Sequence, residues 1–568
     1  MILFQKISRA LLLCLSFLAL VPTAQAAQAE LLDVMQTELQ RMYAGLDSAS
    51  EAPLYFLQYS VSERSAYSVS SIDGGMRDPR TSHSRSLDVD VRVGSDQLDN
   101  THEIRGGNWR DNYFPRRDVS FPIENDPAAM RASLWQETEF QYREAQERLT
   151  KVITNRKVKV EEEDLSADFS PATPQVDVQV FTTTPFDTLR WVGIIRRLGD
   201  YFAGIPSIIG SGASLNVSDQ TDNLVNSEGS RIRQFRRYIV LGLSVRGMAA
   251  DGMSLERSEN FAVSSIEELP SEEEVTATAR RLVDELDALL KAPVVEPYIG
   301  PAILVNRASG VFFHEIFGHR IEGHRQKSET EGQTFTKKVG QQILPDFISV
   351  TDDPTISRYA GVDLRGHYSY DDEGIAAQRT PIVENGVLKN FLTSRSPIQN
   401  YPASNGHGRR QNGYEVVSRQ GNLIIESGKT APFPRLREML IEQCLLQGKP
   451  YGLIFADISG GFTMTGRYGP QAFKVKPLLV YRVYTDGRPD EPVRGVDIVG
   501  TPLTAFSKII LTGDDPGVFN GTCGAESGMV PVSASSPSVL VSEIEVEKQQ
   551  KGQEKPPILP VPLEEAGQ

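Results

Sequence analysis

The segment FHEIFGHRIEGH, residues 313–324, constrains this chain more than any other. Its histidines recur every five residues, at His314, His319 and His324. Five steps of about 100° on a regular α-helix leave two side chains about 140° apart, so His314 and His319 could not both face one ion. The segment must therefore widen into a π-bulge or break between these two residues. Gly318 lies directly before His319 and is the residue most tolerant of a break.

The residue types in this segment are those of a hydrolytic metal site. Neutral imidazoles hold Zn²⁺, and a neighbouring carboxylate can activate water. We therefore predict His314 and His319 as zinc ligands and Glu315 as the general base. His324 is predicted to support a ligand or to lie near the pocket mouth rather than to be the third ligand. The alternative is a helix whose histidines are surface or capping residues.

Two cysteines, Cys444 and Cys523, lie beyond the N-terminal segment. Cys523 falls in the stretch 520–524, which we interpret as a glycine-flanked loop between strands that can bring a thiolate close to an ion. Cys444 lies in an apolar helical stretch, as a buried small hydrophobe would. These settings favour Cys523 as a metal ligand over a disulfide between the two cysteines, which an oxidising compartment would permit.

Two polar loops are candidates for substrate contacts. His407 and Arg409 lie in the loop 405–410, where an arginine fork could grip a carbonyl or carboxylate, although an exposed turn is an equal alternative. His367 precedes the acidic stretch 369–374, which could line the site or bind a second cation but is better explained as a structural turn.

A glycine pair interrupts a third candidate, the strand-like stretch 459–462. Gly460 could leave a strand edge open, to which an extended peptide could add. An ordinary bulge or turn is the alternative.

The first 26 residues have the features of a Sec-type signal peptide. Lys6 and Arg9 precede an apolar run that is too short to span a bilayer, and the stretch 24–26 is an A-x-A cleavage motif. The mature product is therefore expected to be exported, most simply to a bacterial periplasm, without a membrane span. The net charge of −15 and the absence of a basic run argue against a nucleic-acid partner.

The remaining 542 residues are expected to form an α+β fold of two domains. Periodicity predicts helices over 28–48, 127–155, 186–201 and 271–291, interspersed with strands, in a domain of residues 27–297. Short strands and glycine-rich turns follow in a mainly β domain of residues 298–549, with a hairpin predicted over 380–394 and a strand over 506–511. The Pro-, Glu- and Gln-rich tail 550–568 is predicted to be disordered.

The order of the His-Glu-xxx-His element, the 405–410 loop and the cysteine stretch resembles the TldD/PmbA metallopeptidases, specifically their TldD-like catalytic branch. The resemblance covers most of the mature chain and is strongest after Gly300. It implies an N-terminal α/β domain and a mainly β C-terminal domain that carries zinc on His314, His319 and Cys523, with Glu315 as general base. Well-known members are cytoplasmic, so the export signal is a departure.

The resemblance also implies a substrate and partners. Family members form dimers around a chamber that admits unfolded peptides, which they degrade or trim as leader peptides. This chain is expected to pair with itself or with a non-catalytic PmbA/TldE-like paralogue. Two other functions remain open: an exported maturation factor whose zinc site is only structural, and a zinc hydrolase of another amide or ester.

Overall fold

The computed structural model describes residues 21–46, 53–107, 117–158, 164–467 and 472–549. Residues 1–20 of the predicted signal peptide and the predicted disordered tail lie outside this part of the chain. Within it, every helix is either too short or too polar to cross a lipid bilayer. The fold is mixed α/β, with a largely β C-terminal region, and this confirms the predicted fold class.

The N-terminal region contains a seven-stranded sheet with helices on one face. Its strands are β1 (Leu54–Ile72), β2 (Gly75–Val93), β3 (Val119–Ser120), β4 (Val176–Val178), β5 (Gly210–Asn226), β6 (Arg231–Met248) and β7 (Ser254–Val263). Its helices are α1 (Val21–Leu46), α2 (Pro127–Val158), α3 (Thr188–Ala203) and α4 (Glu272–Lys291), with a 3-10 turn at Ile266–Glu268. The strand order is β3-β2-β1-β5-β6-β4, with β7 also paired to β6.

The four helices agree with the predicted ones because their sequence signals are local. In α4 the Ser271 hydroxyl accepts from the Glu274 N–H, while the Glu274 carboxylate accepts from the Ser271 N–H, which is the predicted capping box. The apolar side of α4 packs on β6 and β7. Helices α1 and α2 cover the β1 and β2 end of the same sheet.

The C-terminal region begins with a strand and is dominated by short strands. These are β8 (Tyr298–Leu304), β9 (Ile348–Asp352), β10 (Arg358–Tyr359), β11 (Val362–Asp363), β12 (Thr380–Glu384), β13 (Val387–Leu388), β14 (Gly408–Arg409), β15 (Val417–Ser418), β16 (Asn422–Ser427), β17 (Thr430–Ala431), β18 (Tyr451–Thr463), β19 (Phe473–Tyr484), β20 (Glu491–Val493), β21 (Val496–Gly500), β22 (Ile509–Gly513), β23 (Gly517–Ala525), β24 (Gly528–Ser536) and β25 (Val539–Lys548). The helices are α5 (Asn306–Ile316), α6 (His324–Lys327), α7 (Phe433–Leu446) and α8 (Pro502–Ser507), and a 3-10 turn spans Gly318–Arg320.

Two larger sheets organise these strands around helix α5. One has the order β13-β12-β9-β16-β24-β23. In the other, β8 pairs with both β18 and β25, so that β8, β18, β19, β21 and β25 close into a ring. Helix α5 packs against β18 of the ring and against β23 and β24 of the first sheet. It is buried from Ala308 to Ile316, and this position fixes the first histidine between both sheets.

Three local predictions need correction. The stretch 520–524 is part of strand β23 rather than a loop, because it pairs residue by residue with β24 from Gly517 to Ala525. The first two residues of the predicted strand 506–511 belong to helix α8, where Phe506 stacks on the ring of Phe313 at 5.7 Å between centroids. The predicted hairpin is real but short: Asn385 and Gly386, both at positive φ, join β12 to β13.

The two regions are held together by buried polar contacts. The Arg395 side chain, 1% exposed, donates from Nε and Nη2 to the carbonyl oxygen of Ser170 at 2.9 and 2.6 Å. Its guanidinium carbon lies 3.9 Å from the centre of the Phe169 ring. Gln58 and Gln234 of the N-terminal sheet donate to the carbonyls of Asp372 and Tyr370. The helix-free face of that sheet therefore meets the C-terminal region.

Candidate metal centre

The motif segment breaks between its first two histidines, as the five-residue spacing requires. Helix α5 ends at Ile316, and His319 lies in the 3-10 turn that follows. Gly318 is needed here for space rather than for an unusual φ, because a Cβ at this position would lie 1.8 Å from Oε1 of Gln420. Arg320 donates to the carbonyl oxygen of Ile316 at 3.0 Å, which satisfies a free carbonyl at the helix end.

The break brings two imidazoles and a thiol together. The His314 and His319 rings lie 5.1 Å apart between centroids, with their planes at 71°. Sγ of Cys523 lies 3.4 Å from Nε2 of His319. One nitrogen of each histidine and this sulfur all lie within 4.8 Å of one another, and all three residues are buried. The predicted trio therefore converges in space.

A buried carboxylate orients His319. Nδ1 of His319 lies 3.2 Å from Oε2 of Glu322, whose side chain is 0% exposed. Donation from Nδ1 to this carboxylate turns Nε2 toward Cys523. Nε of Arg325 lies 3.0 Å from one oxygen of Glu322, and Nε of Arg419 lies 3.3 Å from the other. These two cations neutralise the carboxylate. The ligand ring is thus held by a carboxylate that is itself held by two cations.

Without a metal, the three side chains of the trio shift one another's pKa values. Burial favours the neutral imidazole, but the Cys523 thiolate and Glu322 outweigh it and raise the pKa of His319 to about 10. The pKa of His314 is also raised against burial, chiefly by Cys523. Burial of the thiol is opposed by both imidazoles, which lower the pKa of Cys523 well below its usual value. A thiolate is therefore present at neutral pH, in the form that binds metals.

The donor set fits zinc. With Zn–S near 2.3 Å and Zn–N near 2.05 Å, tetrahedral geometry puts sulfur and nitrogen about 3.5 Å apart. The Cys523–His319 distance of 3.4 Å matches this separation. Nδ1 of His314 is buried and has no hydrogen-bond partner among the described residues, so it is available to a ligand. Two imidazoles and one thiolate leave one tetrahedral position for solvent or substrate.

Glu315 stands beside the cluster at the wall of an open cleft. One of its carboxylate oxygens lies 4.0 Å from Nε2 of His319. The cleft has a volume of about 390 Å³ and is lined by all three predicted ligands, by Glu315 and by residues 459–463 of β18. A Cβ on Gly461 would lie 3.0 Å from Cγ of Glu315, so a glycine here leaves room for the carboxylate.

His324 belongs to a neighbouring ion-pair network rather than to the trio. Its Nε2 is paired with the carboxylate of Glu526, and its Nδ1 lies 3.0 Å from the Ser418 hydroxyl. Glu526 also accepts from Arg325 at 2.9 Å. Burial would raise the pKa of Glu526, but Arg325 and the hydrogen-bonded His324 lower it well below its usual range. Glu526 lies at the turn after β23, so this network ties the motif segment to the strand that carries Cys523.

The other predicted substrate residues are dispersed. Gly460 lines the metal cleft. His407 is fully buried, with Nε2 3.3 Å from Asp352, and Arg409 donates to the carbonyl of Gln420 at 2.7 Å. His367 lines a different cavity. Of these four predicted residues, only Gly460 therefore lies in the described wall of the cleft that contains the trio.

Sequence reasoning missed the supporting carboxylates. Glu322 lies inside the motif segment, three residues after His319, and that spacing could have identified it as an oriented partner on the same turn. Glu526 carries no such signal, because it lies 202 positions from its partner His324.

Comparisons with known proteins agree with this fold. Residues 298–548 match the model of the PmbA/TldA metallopeptidase C-terminal domain. A metalloprotease of Methanothermobacter thermautotrophicus is 28% identical over 346 residues, 60% of this chain and 70% of the relative. A zinc metalloprotease TldD homolog of Saccharolobus solfataricus is 25% identical over 270 residues, 47% of this chain and 55% of the relative.

A solved structure extends the similarity to both regions. TldE from Thermococcus kodakarensis superposes with a TM-score of 0.56 and 14% identity, over 90% of this chain and 100% of that one. The matched C-terminal domain is that of a metallopeptidase family. The chain belongs to the TldD/PmbA family.

Proposed function

We propose that this chain is a zinc-dependent peptidase of the catalytic, TldD-like branch, acting on unfolded peptides. The observation that carries the proposal is the convergence of His314, His319 and Cys523 within 4.8 Å beside Glu315, in an open cleft. Zinc held by these three side chains would supply a Lewis acid that polarises a substrate carbonyl and lowers the pKa of a water molecule.

The chain's own residues supply the proton transfer. The Glu315 carboxylate lies at the cleft wall, 4.0 Å from the ring of His319, where it can accept a proton from water and return it to the leaving amine. Glu322 keeps His319 oriented throughout, because both of its cation partners are buried with it.

The cleft wall suits an extended peptide. Residues 460–463 of β18 pair with β19 on one edge, whereas β8 occupies the other edge only at residues 453–455. No described strand pairs with that other edge at 459–463. A peptide in extended form could therefore add there through main-chain hydrogen bonds, which require no particular side chains. A register shift next to Gly460, at φ +155°, also makes this stretch a bulge.

The test is peptide hydrolysis by Glu315→Gln and the wild type. A mixed pool of unfolded peptides is incubated with each protein and followed by mass spectrometry, while bound zinc is measured in both. We expect the variant to keep one zinc per chain and to lose about 10²–10⁴-fold in rate. Glu438→Gln, on exposed helix α7, is the matched control and should cleave normally. Wild-type turnover by Glu315→Gln would remove Glu315 from this role.

The same assay separates the two other functions. A structural zinc site is usually closed by four protein ligands, whereas the trio here faces a cleft. Zinc-loaded protein that cleaves no peptide would support the maturation-factor alternative, and cleavage confined to other amides or to esters would support the other hydrolase.

We further propose that the mature chain acts outside the cytoplasm, most simply in a bacterial periplasm, and that it forms a dimer with itself or with a TldE-like paralogue. The signal-peptide features of residues 1–26 support export. The similarity to TldE supports a partner of this fold. N-terminal sequencing of the exported protein should begin at Ala27, and light scattering should give twice the mass of one chain.

A further inference from the structure

A second cavity lies between the N-terminal sheet and the loop that carries His367. Its volume is about 560 Å³, and its walls come from β6, β7 and the stretch 357–367. The N–H of Arg365 in that loop donates to Oδ1 of Asn520 on β23 at 3.1 Å. Asn520 and Cys523 are three residues apart on one strand, so their side chains point to opposite faces of the sheet. This cavity is therefore separate from the metal cleft.

The cavity is lined by several cations, most of which are already paired. Its arginines are Arg236, Arg237, Arg358 and Arg365. Arg236 pairs with Asp222, and Arg237 makes a two-pronged contact with Asp219 at 2.6 and 2.8 Å. Arg358 pairs with Glu268 at 3.0 Å. Three of the four positive charges are thus neutralised within the protein.

Arg365 is the exception. Within the described part of the chain, its guanidinium makes no hydrogen bond or ion pair, and its Nε is buried without an acceptor. Its guanidinium carbon lies 5.5 Å from the centre of the Tyr238 ring. Burial lowers the pKa of Arg365, which reflects the cost of a charge without a counter-ion. Residue Arg365 as a whole is only partly buried, and a carboxylate in this cavity could supply the acceptor that its buried Nε lacks.

The rest of the wall mixes polar and apolar residues. The polar ones include Thr182, Ser265, Asp363 and His367, and the apolar ones include Val240, Ala262 and Leu364, against which an apolar group could pack. A water molecule occupies about 30 Å³, so the cavity is far larger than a small inorganic anion needs. One unpaired cation also matches one negative charge, whereas phosphate carries about 1.5 to 2 at pH 7.

We propose that this cavity binds a monoanionic carboxylate attached to an apolar body, with the carboxylate on Arg365 and the body against the β6–β7 wall. The guanidinium fork matches a carboxylate in two-pronged geometry. The inference rests on the cavity alone and does not require that the protein hydrolyse peptides.

The test is binding of 3-phenylpropionate to the full zinc-loaded protein by titration calorimetry. This probe has no scissile bond, and its neutral counterpart, 3-phenylpropanamide, has the same shape. We expect the acid to bind, the amide to bind at least tenfold more weakly, and Arg365→Gln to weaken acid binding at least tenfold. Arg435→Gln, an exposed arginine on helix α7, should leave binding unchanged.

A second variant makes the result independent of Arg365 folding effects. Ala262→Phe fills the cavity from the β7 wall without altering a charge, and it should also abolish acid binding. The proposal is overturned if the acid and amide bind equally, if both variants bind the acid as the wild type does, or if the acid does not bind. It is also overturned if chelation of zinc, rather than Arg365→Gln, removes binding, because the probe would then occupy the metal cleft. Stronger binding of inorganic phosphate than of the acid would equally reject the carboxylate assignment.

Discussion

Sγ of Cys523 lies 3.4 Å from Nε2 of His319, although the two residues are 204 positions apart. We predict that Cys523→Ala weakens zinc binding at least 100-fold, because it leaves only two protein ligands and removes the only thiolate in the trio. Competition with a chromogenic chelator measures the affinity. Cys444→Ala is the matched control, since Cys444 packs against Leu436 and Leu440 rather than near the trio. Equal zinc affinity of the two variants would contradict the predicted ligand set.

Glu322→Gln should lower zinc affinity by about 10–100-fold with little change in the fold. The amide keeps the shape but loses the charge that holds His319 through Nδ1 and that Arg325 and Arg419 surround. The same chelator competition is suitable, and circular dichroism checks the fold. A loss of folding without a change in zinc affinity of the folded fraction would reduce Glu322 to a structural role.

Zinc binding should release protons and strengthen with pH. In the metal-free protein, His319 has a pKa of about 10 and is therefore protonated at pH 6–8, whereas zinc requires its neutral Nε2. Cys523 is already a thiolate in this range and releases none. The apparent affinity should consequently rise about tenfold or more per pH unit between pH 6 and 8. Calorimetry in buffers of different ionisation enthalpy counts the protons, and a pH-independent affinity would contradict the prediction.

Gly318→Ala should destabilise the protein by about 1–3 kcal/mol, because the new Cβ would overlap the buried side chain of Gln420. Gln420→Ala removes the obstacle, and neither Oε1 nor Nε2 of Gln420 has a hydrogen-bond partner among the described residues. In that background, Gly318→Ala should cost less than about 0.5 kcal/mol. Urea unfolding of the four proteins measures the coupling. Equal costs in both backgrounds would indicate that backbone freedom, rather than space, requires the glycine.

Both described cysteines should titrate as free thiols, at different rates. The structure pairs neither in a disulfide, so the disulfide alternative is wrong. After zinc removal, Cys523 should react quickly with an alkylating reagent, whereas burial raises the pKa of Cys444 to about 11 and slows its reaction. Zinc should protect Cys523 alone. Mass spectrometry of the modified peptides measures both rates, and similar rates would contradict the assigned environments.

Much of the fold follows from local sequence signals. The capping box at Ser271 and Glu274 and the turn at Asn385 and Gly386 are encoded within four or five residues, and both elements form as predicted. Strand β23 was mistaken for a loop because its glycines suggest irregular backbone, whereas pairing with β24 overrides that preference. The sequence around Phe506 similarly predicts a strand. In the structure Phe506 lies in helix α8, where its ring packs on those of Phe312 and Phe313 in α5.

The candidate centre also combines features that the local sequence predicts with features that depend on distant residues. The five-residue spacing of His314 and His319 requires a break, and the structure contains it. The role of Gln420 in requiring Gly318 depends on a neighbour about 100 positions away and is invisible to local reasoning. The setting of His407 between glycines indicates either a substrate contact or an exposed turn, yet its ring is enclosed beside Asp352. Burial of polar residues is a tertiary property that spacing alone does not encode.

The buried contacts of Arg395 determine whether the C-terminal region can be separated from the N-terminal one. Its cation is enclosed by the Ser170 carbonyl, the Glu228 carboxylate and the Phe169 ring, all supplied by the N-terminal region. A fragment that starts at residue 298 would expose this arginine's apolar surroundings and strip it of its counter-charge. We therefore expect the family-matched segment to be less stable alone than in the whole chain, and heat to melt both regions in one cooperative transition.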